Sequence, residues 1–314
     1  MKKRLAAILL CAAMLLALAA CGGSGESLTF GTGGDSGTYY GYGGALAGYV
    51  SENTDTYVTA VTSNGSQTNI EDIASGAIQL GFVQSDVMSY AYGGTRLFES
   101  PVTNFSVVAA LYMEQVQIVT LNPDIKTVAD LAGKSVSIGA SGSGVYFNAL
   151  DVLGAYGLTE EDIEPVFQDF ATSVDSLKDG KIDAAFIVAG APTTAVVDLA
   201  SGNDVYLVGL DQEHIDALIE TSPYYSANTI AADVYGTPED CTTVAIAAVV
   251  IAGNDVSEDA VYDFVSTVFE NKGSLGHAKE DELDLDFATS ITDVPYHPGA
   301  AKYFAEKGIE VPTA

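Results

Sequence analysis

One unit of sequence occurs twice in this chain. Leu28 to Thr32 reads as a short strand, Gly33-Gly34-Asp35-Ser36-Gly37 as a tight loop, and Tyr39 to Val50 as a helix with Tyr42, Ala45, Leu46, Tyr49 and Val50 on one face. About a hundred residues later, Ser135 to Gly139, Ala140-Ser141-Gly142-Ser143-Gly144 and Val145 to Tyr156 repeat the order, with Ala149, Val152, Leu153 and Tyr156 at helical spacing. A chain built on strand, glycine loop and helix is committed to α/β layers, because apolar strands are buried on both faces only beneath helices.

The likeness of the halves continues downstream. Gly76 to Val83 aligns with Gly180 to Ile187, Gly, Ile and Phe in register, and each stretch follows a helix-like segment, Asn69 to Ser75 and Thr172 to Lys178. Thr68-x-x-Glu71 has the form of a capping box for the first of these helices. Ile78 to Val83 and Ile182 to Val188 are nearly continuous apolar runs, as buried parallel strands are. Two similar α/β halves predict two lobes facing each other; a single Rossmann-like domain with an appendage is the alternative. Val116 to Leu121 is expected to enter the second lobe and Thr243 to Ala252 to leave it, with helix Glu258 to Glu270 returning to the first. The expected organisation is 28–113 and 246–314 for lobe one and 114–245 for lobe two.

The N-terminus sets the compartment. Met1-Lys2-Lys3-Arg4 precedes an apolar stretch from Leu5 to Ala20, too short for a permanent span, so 1–20 reads as a signal peptide. Leu18-Ala19-Ala20-Cys21 resembles a bacterial lipobox, which predicts lipidation of Cys21 and anchoring to the outer face of a membrane; Gly22 to Ser27 then form a flexible tether, 21–27. Cys11 lies inside the apolar core and is a poor rival site. Removal of 1–20 leaves nine basic against forty-two acidic residues, a net charge of −33. Nucleic acid is excluded as a partner, since phosphate binding needs clustered Lys and Arg. Cys241 has no CxxC partner and reads as an inert thiol.

Ligands of open α/β sheets sit beyond the carboxyl ends of strands, where loops enter helices. Both glycine loops lie there, and a helix N-terminus offers unsatisfied N–H donors and partial positive charge suited to a carboxylate. Ser36, Thr38, Ser141 and Ser143 add hydroxyls, and Tyr39 and Tyr40 stand at a helix entrance, where they either meet a ligand or pack. Ser63-Asn64-Gly65-Ser66, Gln84-Ser85-Asp86 and Ala189-Gly190-Ala191-Pro192-Thr193 occupy comparable places. Neither loop completes G-x-G-x-x-G, and no Walker lysine follows. Arg96, the one arginine after residue 20, reads as a solvated loop charge or a ligand contact. His214, His277 and His297 lack metal-ligand spacing, and no nucleophile elbow occurs, so neither metal, cofactor nor enzyme chemistry is expected.

Leu28 to Gly34 with Gly37-Thr38-Tyr39-Tyr40, then Gln84-Ser85-Asp86-Val87, Gly139 to Gly144, and Pro295-x-His297-Pro298-Gly299-Ala300 together resemble the TAXI family of solute-binding proteins. Those proteins serve tripartite ATP-independent periplasmic (TRAP) transporters, which import organic acids and amino acids. The resemblance implies a two-lobed periplasmic-binding-protein type II fold, each lobe a mostly parallel sheet flanked by helices, with the ligand cleft between. It implies a small organic anion or amino acid, such as glutamate or a dicarboxylate, and TRAP membrane subunits as partners. Carried over residue by residue, it places Gly34, Ser36, Gly37, Thr38, Tyr39, Ser63, Gly65, Gln84, Asp86, Ser143, Gly144 and Ala189 to Pro192 at the cleft. The sequence departs from the family pattern at Asp35, which either selects a ligand ammonium or caps the helix, and at Val145, where the family often has Thr. A sensor module for a signalling receptor would share this cleft; a secreted hydrolase using Ser143 or Ser36 is the remaining alternative.

Overall fold

The computed structural model describes residues 25–313; the expected signal peptide and Cys21 lie outside these residues. The first half runs β1 (Ser27–Gly31), α1 (Thr38–Asn53), β2 (Tyr57–Val61), α2 (Ser66–Ser75), β3 (Leu80–Gln84) and α3 (Ser85–Gly93). A long strand, β4 (Phe105–Thr120), leads to β5 (Ser135–Ser137), α4 (Gly144–Ala155), β6 (Glu164–Val166), α5 (Phe170–Lys178), β7 (Ala184–Ala189), α6 (Thr194–Ala200), β8 (Tyr206–Leu207), α7 (Gln212–Thr221) and β9 (Ser226–Ile230). A second long strand, β10 (Cys241–Gly253), returns the chain to α8 (Glu258–Glu270), α9 (Leu285–Ala288) and α10 (Pro298–Glu306).

The strands order as β2-β1-β3-β10-β4-β7-β5-β6. Three parallel strands stand at one end and β7, β5 and β6 are parallel at the other. Antiparallel β4 and β10 join them: Phe105 to Gln115 pairs with Ala245 to Gly253, and Gln115 to Thr120 pairs with β7. Both strands are long enough to belong to both halves, which makes them the connection about which the halves are set.

Packing follows strand alternation. In the second half, Val116, Ile118, Ala184, Phe186 and Val188 join the core under α4 and α7, while Val119, Ala185, Ile187 and Ala189 join the one under α5 and α6. The first half has its own core, including Phe30, Phe82, Phe105 and Phe264. Cys241 is a buried free thiol within the second half. Pro295-x-His297-Pro298-Gly299-Ala300 is built into the first half: the His297 N–H donates to Val107 O (2.8 Å), and the buried ring caps α10 by accepting from the Gly299 N–H (3.2 Å).

Two expected caps are corrected. Helix α2 begins at Ser66, not Asn69, because Gly65 at φ 106° turns the backbone early; its N-cap is that glycine, with no side-chain cap. Thr68 therefore lies inside the first turn and forms no capping box with Glu71. Asp35 is exposed and caps nothing: the N-cap of α1 is Gly37, again without a side-chain bond.

Candidate functional site

Five helices begin at one cavity. The N-cap residues of α1 (Gly37), α2 (Gly65), α3 (Gln84), α4 (Ser143) and α5 (Asp169) all line it. Two of the five ends, α1 and α2, have neither a side-chain cap nor an acidic residue in the first turn; Thr68 N of α2 is taken by Gly142 O, and the first-turn N–H groups before it can meet a ligand. Ser143 Oγ accepts from Tyr146 N (3.4 Å) and Asp169 Oδ1 from Thr172 N (2.8 Å). The cavity is small, with about 70 Å³ open to the centre of a water-sized sphere, room for a few waters or a small solute.

The cavity also contains a buried acid that sequence reasoning passed over. Glu114, on β4, is 2% exposed and lines the cavity. Tyr39 Oη donates to its Oε2 (2.9 Å) and Tyr112 Oη to its Oε1 (3.4 Å). Burial pushes the Glu114 carboxyl up to about 8, against the opposing pull of the donors Tyr39, Gln84 and Tyr112 and of the Lys279 charge. Burial, then the neighbouring Glu114, raises the Tyr39 phenol well above its ordinary range. Lys279 is ion-paired to Glu282 and sits 5.4 Å from the Tyr112 ring. Gln84 is 2% exposed, and its Oε1 has no hydrogen-bond partner.

Of the residues expected at the site, Gly34, Gly37, Thr38, Tyr39, Ser63, Gly65, Gln84, Ser143, Gly144, Val145 and Ala189 line the cavity. Asp35, Ser36, Asp86, Ser141, Ala191 and Pro192 do not. Asp35, Ser141 and Pro192 are exposed. Ser36 O accepts from Ala195 N (3.2 Å), and Ala191 N donates to Gln115 Oε1 (2.8 Å). Asp86 is fully buried in a different polar cluster, which also holds Arg96. Tyr40 turns outward, 39% exposed. Gly33, Ala140, Asn64 and Ser66, from the glycine loops and the polar turn singled out in the sequence, line it too, and besides Glu114 the structure adds Asp169, Phe170 and Val188. Among the described residues no group of side chains could hold a metal ion, and no helix is long and apolar enough to cross a membrane.

The halves touch directly around the cavity. Thr38 Oγ1 donates to Gly190 O (3.0 Å) and Thr68 N to Gly142 O (3.0 Å). Gly144 abuts Gln84 and Ser66 so closely that a Cβ there would collide with both side chains. The cleft is thus described in a closed arrangement.

Solved structures share this fold, among them those of two binding proteins. The alkanesulfonate-binding protein SsuA of Xanthomonas axonopodis pv. citri, bound to MOPS, matches at a TM-score of 0.50 and 14% identity, over 89% of this chain and 83% of its own. A protein of Bordetella bronchiseptica RB50 matches at 0.55 and 14% identity, over 82% and 76%. An ancestral arginine-binding protein bound to arginine matches at 0.50 and 15% identity, over 81% and 95%. At such identities the likeness is one of fold. The sequence profile of the NMT1-like family matches residues 30–308, and the chain belongs to that family.

Proposed function

We propose that this protein is the extracytoplasmic solute-binding subunit of a TAXI-type TRAP transporter, anchored by a lipid on Cys21, and that it captures a small amino acid such as glutamate. The observation that carries the ligand class is the pairing, in one cavity, of five helix N-termini with a single buried carboxyl group, Glu114. The two uncapped helix ends, α1 and α2, favour a ligand carboxylate, each by roughly 0.3–1 kcal/mol and more where partly buried. Glu114 and the unpartnered Gln84 Oε1 favour the opposite chemistry, a ligand group that donates hydrogen bonds. An ammonium meets both acceptors and, by its charge, returns Glu114 to the ionised form. A plain dicarboxylate brings a second anion to an acid already resisting ionisation, so an amino acid is favoured over it. Closure of two lobes on such a solute follows from contacts made by both halves at once.

Calorimetry on protein stripped of carried solute by unfolding and refolding tests this, against L-glutamate, other L-amino acids, succinate and neutral sugars. Amino-acid binding is expected, weakened about 10- to 100-fold in Glu114→Gln, the loss of a charged hydrogen-bonded partner of about 1.5–3 kcal/mol. Succinate affinity should not fall in that variant. Absence of binding across the panel, or equal loss for succinate and glutamate, contradicts the reading.

A further inference from the structure

A second polar cluster joins the halves outside the cavity. Asp86, in the first turn of α3, is 0% exposed; its Oδ1 accepts from Val87 N (2.7 Å) and its Oδ2 from Asn148 Nδ2 on α4 (3.0 Å). Asn148 Nδ2 also donates to Tyr225 Oη (2.7 Å), and Tyr225 Oη donates to Asp151 Oδ2 (3.2 Å). The other oxygen of Asp151 pairs with Arg96, whose guanidinium lies 5.3 Å from the Tyr90 ring. Asp86, Tyr90 and Arg96 come from the first half, and Asn148, Asp151 and Tyr225 from the second.

Counting charges and hydrogens exposes what this cluster lacks. It has two carboxylates for one guanidinium, and Arg96 is engaged by Asp151, so Asp86 is buried without a counter-ion. It is also one donor short: Asn148 Oδ1 is buried with no partner. One proton on Asp86 removes its uncompensated charge.

We propose that the two halves close with uptake of one proton, held on Asp86 between α3 and α4, so that falling pH favours the closed form. The electrostatics agree in direction. Burial, the leading cause, pushes Asp86 up to about 7; the Val87 N–H opposes this, Asp151 reinforces it and Arg96 opposes it. The other ionisable groups coupled to it are Tyr90 on α3, Tyr39 on α1, and Tyr224 and Tyr225 before β9. Opening the cleft separates Asp86 from Asn148 and returns it toward the ordinary carboxylate range. The closed-to-open ratio then rises about tenfold from pH 8 to pH 6 and is indifferent to this group at higher pH. The consequence for solute affinity rests on the capture reading; the proton uptake itself does not.

The chain contains no tryptophan, so one introduced at the cleft is a unique reporter. Tyr224, edge-on to Tyr90 at 5.7 Å across the halves, is the place for it. Tyr224→Trp is followed by emission wavelength from pH 8.5 to pH 5.5 without solute, alone and combined with Asp86→Asn, and small-angle scattering follows the radius of gyration of the chain without the reporter. The expected result is a blue shift and contraction that set in below about pH 7 and grow toward pH 5.5, absent in Asp86→Asn, which stays closed because its amide carries no charge at any pH. A conformation that ignores pH, or the same transition in Asp86→Asn, overturns the proposal; a transition that persists in that variant belongs to Glu114. No solute enters the measurement, so its failure leaves amino-acid capture standing, and failure of capture leaves this result standing.

Discussion

Glu114 sits in a strand that is otherwise apolar for most of its length, and its neighbours are arranged to hold it there. Tyr39 stacks on Phe82 at 4.7 Å and directs its hydroxyl to the carboxyl group, so one residue packs the core and satisfies the buried acid. Tyr39→Phe keeps the stacking and removes the donor. Folding stability should fall by about 1–3 kcal/mol in chemical denaturation, the cost of stripping a buried polar group of its partner. A loss under roughly 0.5 kcal/mol would show that Tyr112 alone satisfies the acid. Tyr39 was legible in the sequence because it stands where a glycine loop enters a helix. Glu114 was not, because one acid in Leu111-Tyr112-Met113-Glu114-Gln115-Val116 looks like the solvent side of a strand. Only the burial of β4 on both sides turns it inward. Asp169 was missed differently: with the helix expected from Thr172, its cap fell in the loop before it.

Convergence of helix ends is a property of elements. It was legible in kind, since strand, loop and helix units place helix N-termini beyond strand carboxyl ends. The number was not legible, because α2 starts earlier and α5 longer than their apolar periodicity indicates. Gly144 shows what close convergence demands. It is the first residue of α4, and a Cβ there collides with Gln84 and Ser66, which are 2% and 1% exposed and have no room to swing aside. Both belong to the first half, so the collision exists only when the halves meet. Gly144→Ala should leave folding stability within about 0.5 kcal/mol, since alanine suits a helix better than glycine. Affinity for a bound amino acid should drop at least about tenfold, 1.4 kcal/mol, as closure is obstructed. Unchanged affinity in calorimetry would mean that solute is held in a more open arrangement than this one.

At the scale of the whole molecule, the sequence resolved the two halves and nearly all of β10, as Thr243 to Ala252, but read β4 only as the segment Val116 to Leu121. That segment is the second-half end of a strand that begins at Phe105, and β4 and β10 both serve both halves. Two acids lie in the interior where the halves meet, Glu114 on β4 and Asp86 on α3, and the consequence is a stability that runs against the usual behaviour of an acidic protein. Burial holds Asp86 at about 7 and Glu114 at about 8, both above the ordinary carboxylate range of the unfolded chain. Between those ranges the folded chain binds more protons than the unfolded one, so stability falls as pH rises and is fully lost from these groups above their folded values. Below about pH 6 the trend flattens, because His277 and His297, lowered chiefly by burial, take up protons more readily once unfolded. The melting temperature should therefore decline from pH 6 to pH 9, by an amount on the order of a few kcal/mol in stability. Combining Asp86→Asn with Glu114→Gln should flatten that decline in calorimetric scans. A wild-type melting temperature that holds or climbs over this interval would mean that both carboxyl groups are ionised in the folded protein, and that the cavity and the junction carry their negative charge unprotonated.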